Sequence, residues 1–116
     1  MGSPISDSYA MNKEQGTKHD EGKLRYDLIP PYPLMRLAEV YTIGARKYGD
    51  RDWEKGISCS RLLGSMLRHI EAYRAGELVD KDDGQLHMAS VAFCAFAVLY
   101  FDGKAHFDFE DDRVVK

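Results

Sequence analysis

"LHMASVAFCAFAVLYF", Leu86 to Phe101, is apolar nearly all the way round a helical projection. A helix with one apolar stripe needs cover on one side; a helix apolar on every side needs cover on every side. Only His87 and Ser90 interrupt the run, and it falls short of the roughly 20 residues that cross a bilayer. The stretch therefore reads as a central core helix and not as a membrane span. Its predicted extent is about residues 84–101, with Asp82 or Asp83 as the N-terminal cap.

The acidic linker "ELVDKDDG" precedes this helix. Before the linker, Leu62, Leu63, Met66, Leu67, Ile70 and Tyr73 recur at helical spacing, which predicts a second helix. Ser58 or Ser60 is its expected cap, and it should end near Gly76. "GDRDWEKGIS" upstream is a loop. Leu34, Leu37, Ala38, Tyr41 and Ala45 predict a first helix, from about Leu34 to Tyr48, with Gly49 closing it. Two amphipathic helices cannot enclose a third that is apolar all round. The fold expected is all-α, a bundle of about three main helices completed by homo-oligomerisation, with a dimer as the default and a dimer of dimers as the next case.

The 116 residues fit one domain. A net charge of −3 argues against a general nucleic-acid binder, which carries a basic surplus. It leaves room for an anionic small ligand met by local lysines. The two cysteines, Cys59 and Cys94, lack CxxC spacing, and Cys94 lies in an apolar run, so both are expected as free thiols. No apolar stretch near Met1 resembles a leader peptide, and a cytoplasmic location is expected. Residues 1–16 read as a loose N-terminal segment, 17–101 as the folded domain and 102–116 as a charged tail.

"KHDEGKLRYDLIPPYP", Lys18 to Pro33, has neither helical nor strand period. It packs Lys18, Lys23 and Arg25 among acids and then runs into three prolines, which hold the chain extended. Such a segment is either a solvated charge run or an arm that brings cations to a phosphate ester. Arg46 and Lys47 add positive charge at the end of the first helix. Tyr48 and the single tryptophan, Trp53, can stack a nucleobase or plug helix ends.

Acidic and imidazole groups gather in the second half of the chain. Glu39 flanks the stripe of the first helix, and His69 flanks that of the second. Glu77 returns to the side of His69, and Asp83 and His87 stand at i,i+4. An oxygen-rich set with an occasional imidazole suits Mg²⁺ or Mn²⁺. Each also has a simpler use: Asp82 as a cap, Glu71 as a partner for Arg68 or Arg74, the histidines as core-edge groups. There is no GxGxxG, no Walker-A lysine loop and no GxSxG elbow.

Taken together, "KHDEGKLRYDLIPPYPL", "GARKYGDRDW", "LRHIEAYRAGELVD" and "DGQLHMASVAF" resemble a phage-enriched family of MazG-like nucleoside triphosphate pyrophosphohydrolases of the MazZ type. The best-known members of that family act on dATP and dGTP in phages that replace adenine with 2-aminoadenine. The similarity spans about Thr17 to Phe101. It implies an all-α, dimeric or tetrameric fold and cleavage between the α and β phosphates, which in such phages supplies dGMP for 2-aminoadenine synthesis. MazG relatives carry E-x-x-E on one helix and E-x-x-D on the next. This chain instead has Glu77-x-x-Asp80 at a helix end and Asp83-x-x-x-His87 at the next helix start.

The resemblance implies two or three Mg²⁺ or Mn²⁺ ions among Glu39, Glu77, Asp80 and Asp83. His69 and His87 would orient ligands or relay a proton. Lys18, Asp20, Lys23, Arg25 and Lys47 would hold the phosphates, with Tyr48 or Trp53 on the purine. The other class of function open to this fold is an inactive nucleotide-sensing or partner-binding module.

Overall fold

The computed structural model describes residues 16–104. The expectations for most of the N-terminal segment and of the charged tail lie outside that range. The described part is helical, with α1 at Pro31–Tyr48, α2 at Cys59–Arg74 and α3 at His87–Lys104. Short 3₁₀ turns occupy Tyr26–Leu28 and Asp52–Lys55. No strand is present among the described residues; one isolated bridge joins Val79 to Leu86. Among the described residues, no helix is long and apolar enough to cross a membrane.

The first helix begins at Pro31, three residues before the expected Leu34. Its opening turn contains Pro31 and Pro33, which is allowed because the first amides of a helix have no intrahelical acceptor. It ends where Gly49, at φ 102°, gives its N–H to the Ala45 carbonyl at 2.8 Å. Ser58 precedes α2 as expected, but its side chain makes no capping bond.

The start of α3 corrects the sequence reading. The helix begins at His87 and not near residue 84. Neither Asp82 nor Asp83 caps it. Asp80 Oδ1 accepts the Asp82 N–H and Asp83 Oδ1 accepts the Gln85 N–H, both at 2.9 Å. The Gly84 N–H closes the same turn on the Asp80 carbonyl at 2.8 Å. Aspartates that bond the backbone two residues on hold a turn in place of a helix. Asp83 and His87 therefore do not share a helical face. The expected end at Phe101 is passed as well, since α3 runs to Lys104.

α3 packs against α2 and, less extensively, against α1. Leu62, Ala97 and Phe101 form the buried centre, and Trp53, Ile57, Val98 and Tyr100 close over it. Neither cysteine forms a disulfide, and both are buried. Burial drives the Cys94 thiol above its usual range, with a hydrogen bond to Ser65 pulling weakly the other way. Two neighbours leave part of α3 bare: Phe96 is 49% and Leu99 66% exposed, and on α2 Leu67 is 58% exposed. This agrees with the expectation that two helices do not cover the third.

Candidate functional site

The chain from α2 to α3 folds back on itself. The Asp80 N–H bonds the Gln85 carbonyl at 2.8 Å and the His87 N–H bonds the Leu78 carbonyl at 3.0 Å. This narrow loop lifts Glu77 and Asp80 to the level where His87 opens α3. His69, in the next-to-last turn of α2, faces them. The Nδ1 atoms of His69 and His87 are 2.8 Å apart. His87 Nε2 lies 2.6 Å from Glu77 Oε1, and His69 Nδ1 lies 3.9 Å from Asp80 Oδ2. His87 is 4% exposed. Four expected site residues, His69, Glu77, Asp80 and His87, thus meet in one cluster, contributed by two helices and the loop between them.

Glu77 decides the tautomer of His87. A carboxylate only accepts, so His87 Nε2 must carry the proton that bridges to Glu77. In the neutral ring Nδ1 is then a bare lone pair, aimed at His69. Lys81 Nζ lies 3.6 Å from the other Glu77 oxygen. The donor atoms of His69, Asp80 and His87 all lie within 4.8 Å of one another. That spacing admits a single cation, so a divalent ion fits the residues present.

Glu39 does not join this cluster. It sits on α1 with its carboxylate 3.2 Å from Arg36 Nε, one turn back. Glu71 is 2.9 Å from Arg74 and exposed, the simpler use foreseen for it.

Asp83 faces a different space. An open cleft of about 900 Å³ runs along the end of α1 and the loop behind it, lined in part by Lys47, Tyr48, Arg51, Trp53, Lys55 and Asp83. Its size is that of a small-molecule site. The cleft and the histidine cluster are joined by one turn, since Asp80 and Asp83 hold its two ends. Lys47 and Tyr48 are exposed on the cleft wall. Arg46, one residue earlier, is not among the lining residues.

Trp53 is the hub of an aromatic cluster. Its ring meets Tyr41, Phe93, Tyr100 and Phe101 edge-on, at centroid distances of 5.9, 5.9, 4.9 and 5.9 Å. Helix-end packing is therefore the use the fold makes of most of this ring. Burial, with Glu54 adding to it, raises the Tyr41 hydroxyl above its usual range.

The arm residues are all exposed. Lys18 lies ahead of a turn in which the Lys23 N–H bonds the Asp20 carbonyl at 3.1 Å. Arg25 makes a two-pronged bond to Asp27, Nε to Oδ1 and Nη2 to Oδ2, each 2.8 Å. That pairing raises the guanidinium and lowers the carboxylate from their usual ranges. Arg51 and Lys55 on the cleft wall were missed by the sequence reading. Both stand in the loop already singled out for Trp53, and their i,i+3 acids, Glu54 and Asp52, gave them the look of ordinary surface pairs.

The profile of a family described as dATP/dGTP diphosphohydrolase, N-terminal, matches residues 13–113. A dATP/dGTP diphosphohydrolase of Salmonella phage PMBT28 is 35% identical over 77 residues, covering 66% of this chain and 26% of its own length. The chain thus spans about a quarter of the curated relative it matches. No solved structure matches.

Proposed function

Since the chain belongs to the dATP/dGTP diphosphohydrolase N-terminal family, we propose that it hydrolyses purine deoxynucleoside triphosphates to the monophosphate and pyrophosphate. The observation that carries the reading is the family match over residues 13–113, which takes in the whole histidine cluster and the whole cleft.

The cleft has the chemistry a triphosphate requires. Lys47, Arg51 and Lys55 line the cleft together with Asp50, Asp52 and Asp83, Arg51 and Lys55 exchanging Glu54 and Asp52 for phosphate, and Tyr48 offers an exposed aromatic face to the purine. Trp53 contributes the floor and lends only the part of its ring that its four aromatic neighbours leave free. Lys18, Lys23 and Arg25, with Asp20 shaping their turn, form an arm that closes over the β and γ phosphates. Arg25 exchanges Asp27 for a phosphate when it does so, one two-pronged acceptor for another.

Two or three Mg²⁺ or Mn²⁺ ions per site would supply neutralisation of phosphate charge and a bound water of lowered pKa. Asp80 and Asp83, at the two ends of one turn, are the carboxylates proposed to hold them. Glu39 and Glu77 would have to leave Arg36 and His87 to join. His69 and His87 border the Asp80 end of that turn. The cleavage adds water across the α–β bridge: one P–O bond forms at the α phosphorus, one breaks, and pyrophosphate leaves. In a phage that uses 2-aminoadenine, dGMP made this way feeds its synthesis. A homo-oligomer covering Phe96 and Leu99 completes the core, and the protein works in the cytoplasm of the host.

Incubation with dGTP and Mn²⁺ in ¹⁸O-water tests the reading. The expected products are dGMP carrying the label and unlabelled pyrophosphate. Release of orthophosphate would place cleavage at another bond. Absence of turnover would leave a nucleotide-binding module.

A further inference from the structure

We propose that His69 Nδ1, His87 Nδ1 and an Asp80 oxygen form a three-point site for one nitrogen-preferring divalent transition ion, with Glu77 as the residue that positions His87. The inference rests on the hydrolase reading and deepens it by adding to its centre one position that prefers nitrogen ligands, beside the oxygen-bound ions; its geometry needs no nucleotide. Expectation from the sequence put the ligands on carboxylates and had the histidines orient ligands or relay a proton. The proposal gives His69 and His87 to the ion and Glu77 to orienting His87.

Three observations carry it. The two Nδ1 atoms converge to 2.8 Å while Asp80 Oδ2 stands 3.9 Å from one of them, so three donor atoms of three residues lie within 4.8 Å of one another. His87 is buried, and its outer nitrogen is taken by Glu77 at 2.6 Å. That bond leaves the inner nitrogen unprotonated in the neutral ring, which is the form that ligates. A carboxylate on the far nitrogen of an imidazole is also the usual way a ligating histidine is oriented and made more basic. Finally, Glu77 is itself held by Lys81 on its other oxygen, so the chain Lys81, Glu77, His87 runs outward from the centre in one direction.

Donor type sets the ion. Two imidazoles and one carboxylate suit Mn²⁺, Fe²⁺, Co²⁺ or Zn²⁺, whereas Mg²⁺ prefers oxygen. Three protein ligands leave coordination positions open, which is the pattern of a reactive site and not of a closed structural one. The bond between the two histidines is what the site does without an ion: His69 Nδ1–H donates to the bare His87 Nδ1. Binding exchanges that proton for the metal and needs only a small parting of the rings.

The probe is Co²⁺ alone, added to the full chain without nucleotide and followed by its visible absorption and by equilibrium dialysis. One Co²⁺ per chain is expected, with Zn²⁺ displacing it and millimolar Mg²⁺ leaving it in place. His69→Ala and His87→Ala should each abolish the absorption band. Because His87 is buried, His69→Ala, on the more open partner, is the decisive variant if His87→Ala does not fold. Glu77→Gln should keep the band but weaken binding by about 10–100-fold, the effect of losing an orienting carboxylate. Stoichiometric binding unchanged in His69→Ala, displacement of Co²⁺ by Mg²⁺, or no binding at all would overturn the site and leave a hydrogen-bonded histidine pair. Co²⁺ binding without dGTP turnover would sink the hydrolase reading while the metal site stands.

Discussion

Replacing Trp53 by alanine separates two uses of one ring. The residue meets four aromatic rings edge-on, at centroid distances between 4.9 and 5.9 Å. Such pairs contribute about 0.5–1.5 kcal/mol each beyond area burial, so the four together span about 2–6 kcal/mol if fully lost. Truncating a buried tryptophan to alanine removes about 3–5 kcal/mol. Trp53 is only half-buried, so the lower part of that range applies, about 3 kcal/mol. With a urea m-value of about 1.5 kcal/mol per molar, the midpoint falls by about 2 M at unchanged slope. Urea titrations by far-UV circular dichroism, at one fixed protein concentration, measure it. Trp53→Phe keeps part of the ring contacts and should lose about half as much. A midpoint within about 0.3 M of the unmodified chain, together with weakened purine nucleotide binding, would refute the packing argument and return Trp53 to the ligand.

Leu62→Ala removes a side chain at the buried centre against Ala97 and Phe101, and should lower stability by about 2–5 kcal/mol in the same titration. Cys94 should react slowly with a thiol reagent at mildly alkaline pH, because burial raises its pKa and less thiolate is present at any given pH; denaturant should bring both cysteines to full reaction, and a native chain in which both react at the free-thiol rate would contradict their burial. Asp83→Asn retains Oδ1 as acceptor for the Gln85 N–H, so the fold should be unchanged by circular dichroism while turnover of dGTP is abolished; an unaffected rate removes Asp83 from the centre.

The helices were legible because each rests on a repeat that local physics fixes. The stripe of α2 and the unbroken apolar run of α3 both predict what forms, and the proline-led start of α1 is missed by only one turn. The 3.6-residue period carries no information about loops, and the errors lie there. Asp82 and Asp83 have the composition of a helix cap, and the same side chains hold an Asx turn equally well. Which of the two they do is decided by the pairing of Val79 with Leu86 across the loop, a contact between segments that no local pattern announces. That pairing moves Asp83 off the helix face and onto the cleft. His69, Glu77, Asp80 and His87 were nominated because their residue types suit ion binding. Their individual roles could not be read, since roles depend on which nitrogen faces which oxygen.

The loop between α2 and α3 therefore has two functions for one set of backbone bonds. Its crossed amides set Asp80 against the histidines and Asp83 against the cleft. A rigid turn with an aspartate at each end fixes the separation of the two sites more tightly than side chains on separate elements would, because neither can shift without breaking its own backbone bond. In this chain the spacing of Asp80 and Asp83 is set by that turn. A loop that returns to the start of α3 brings the first residue of that helix beside Glu77 and within reach of Asp80. In this sequence that residue is His87, already buried and already oriented by Glu77.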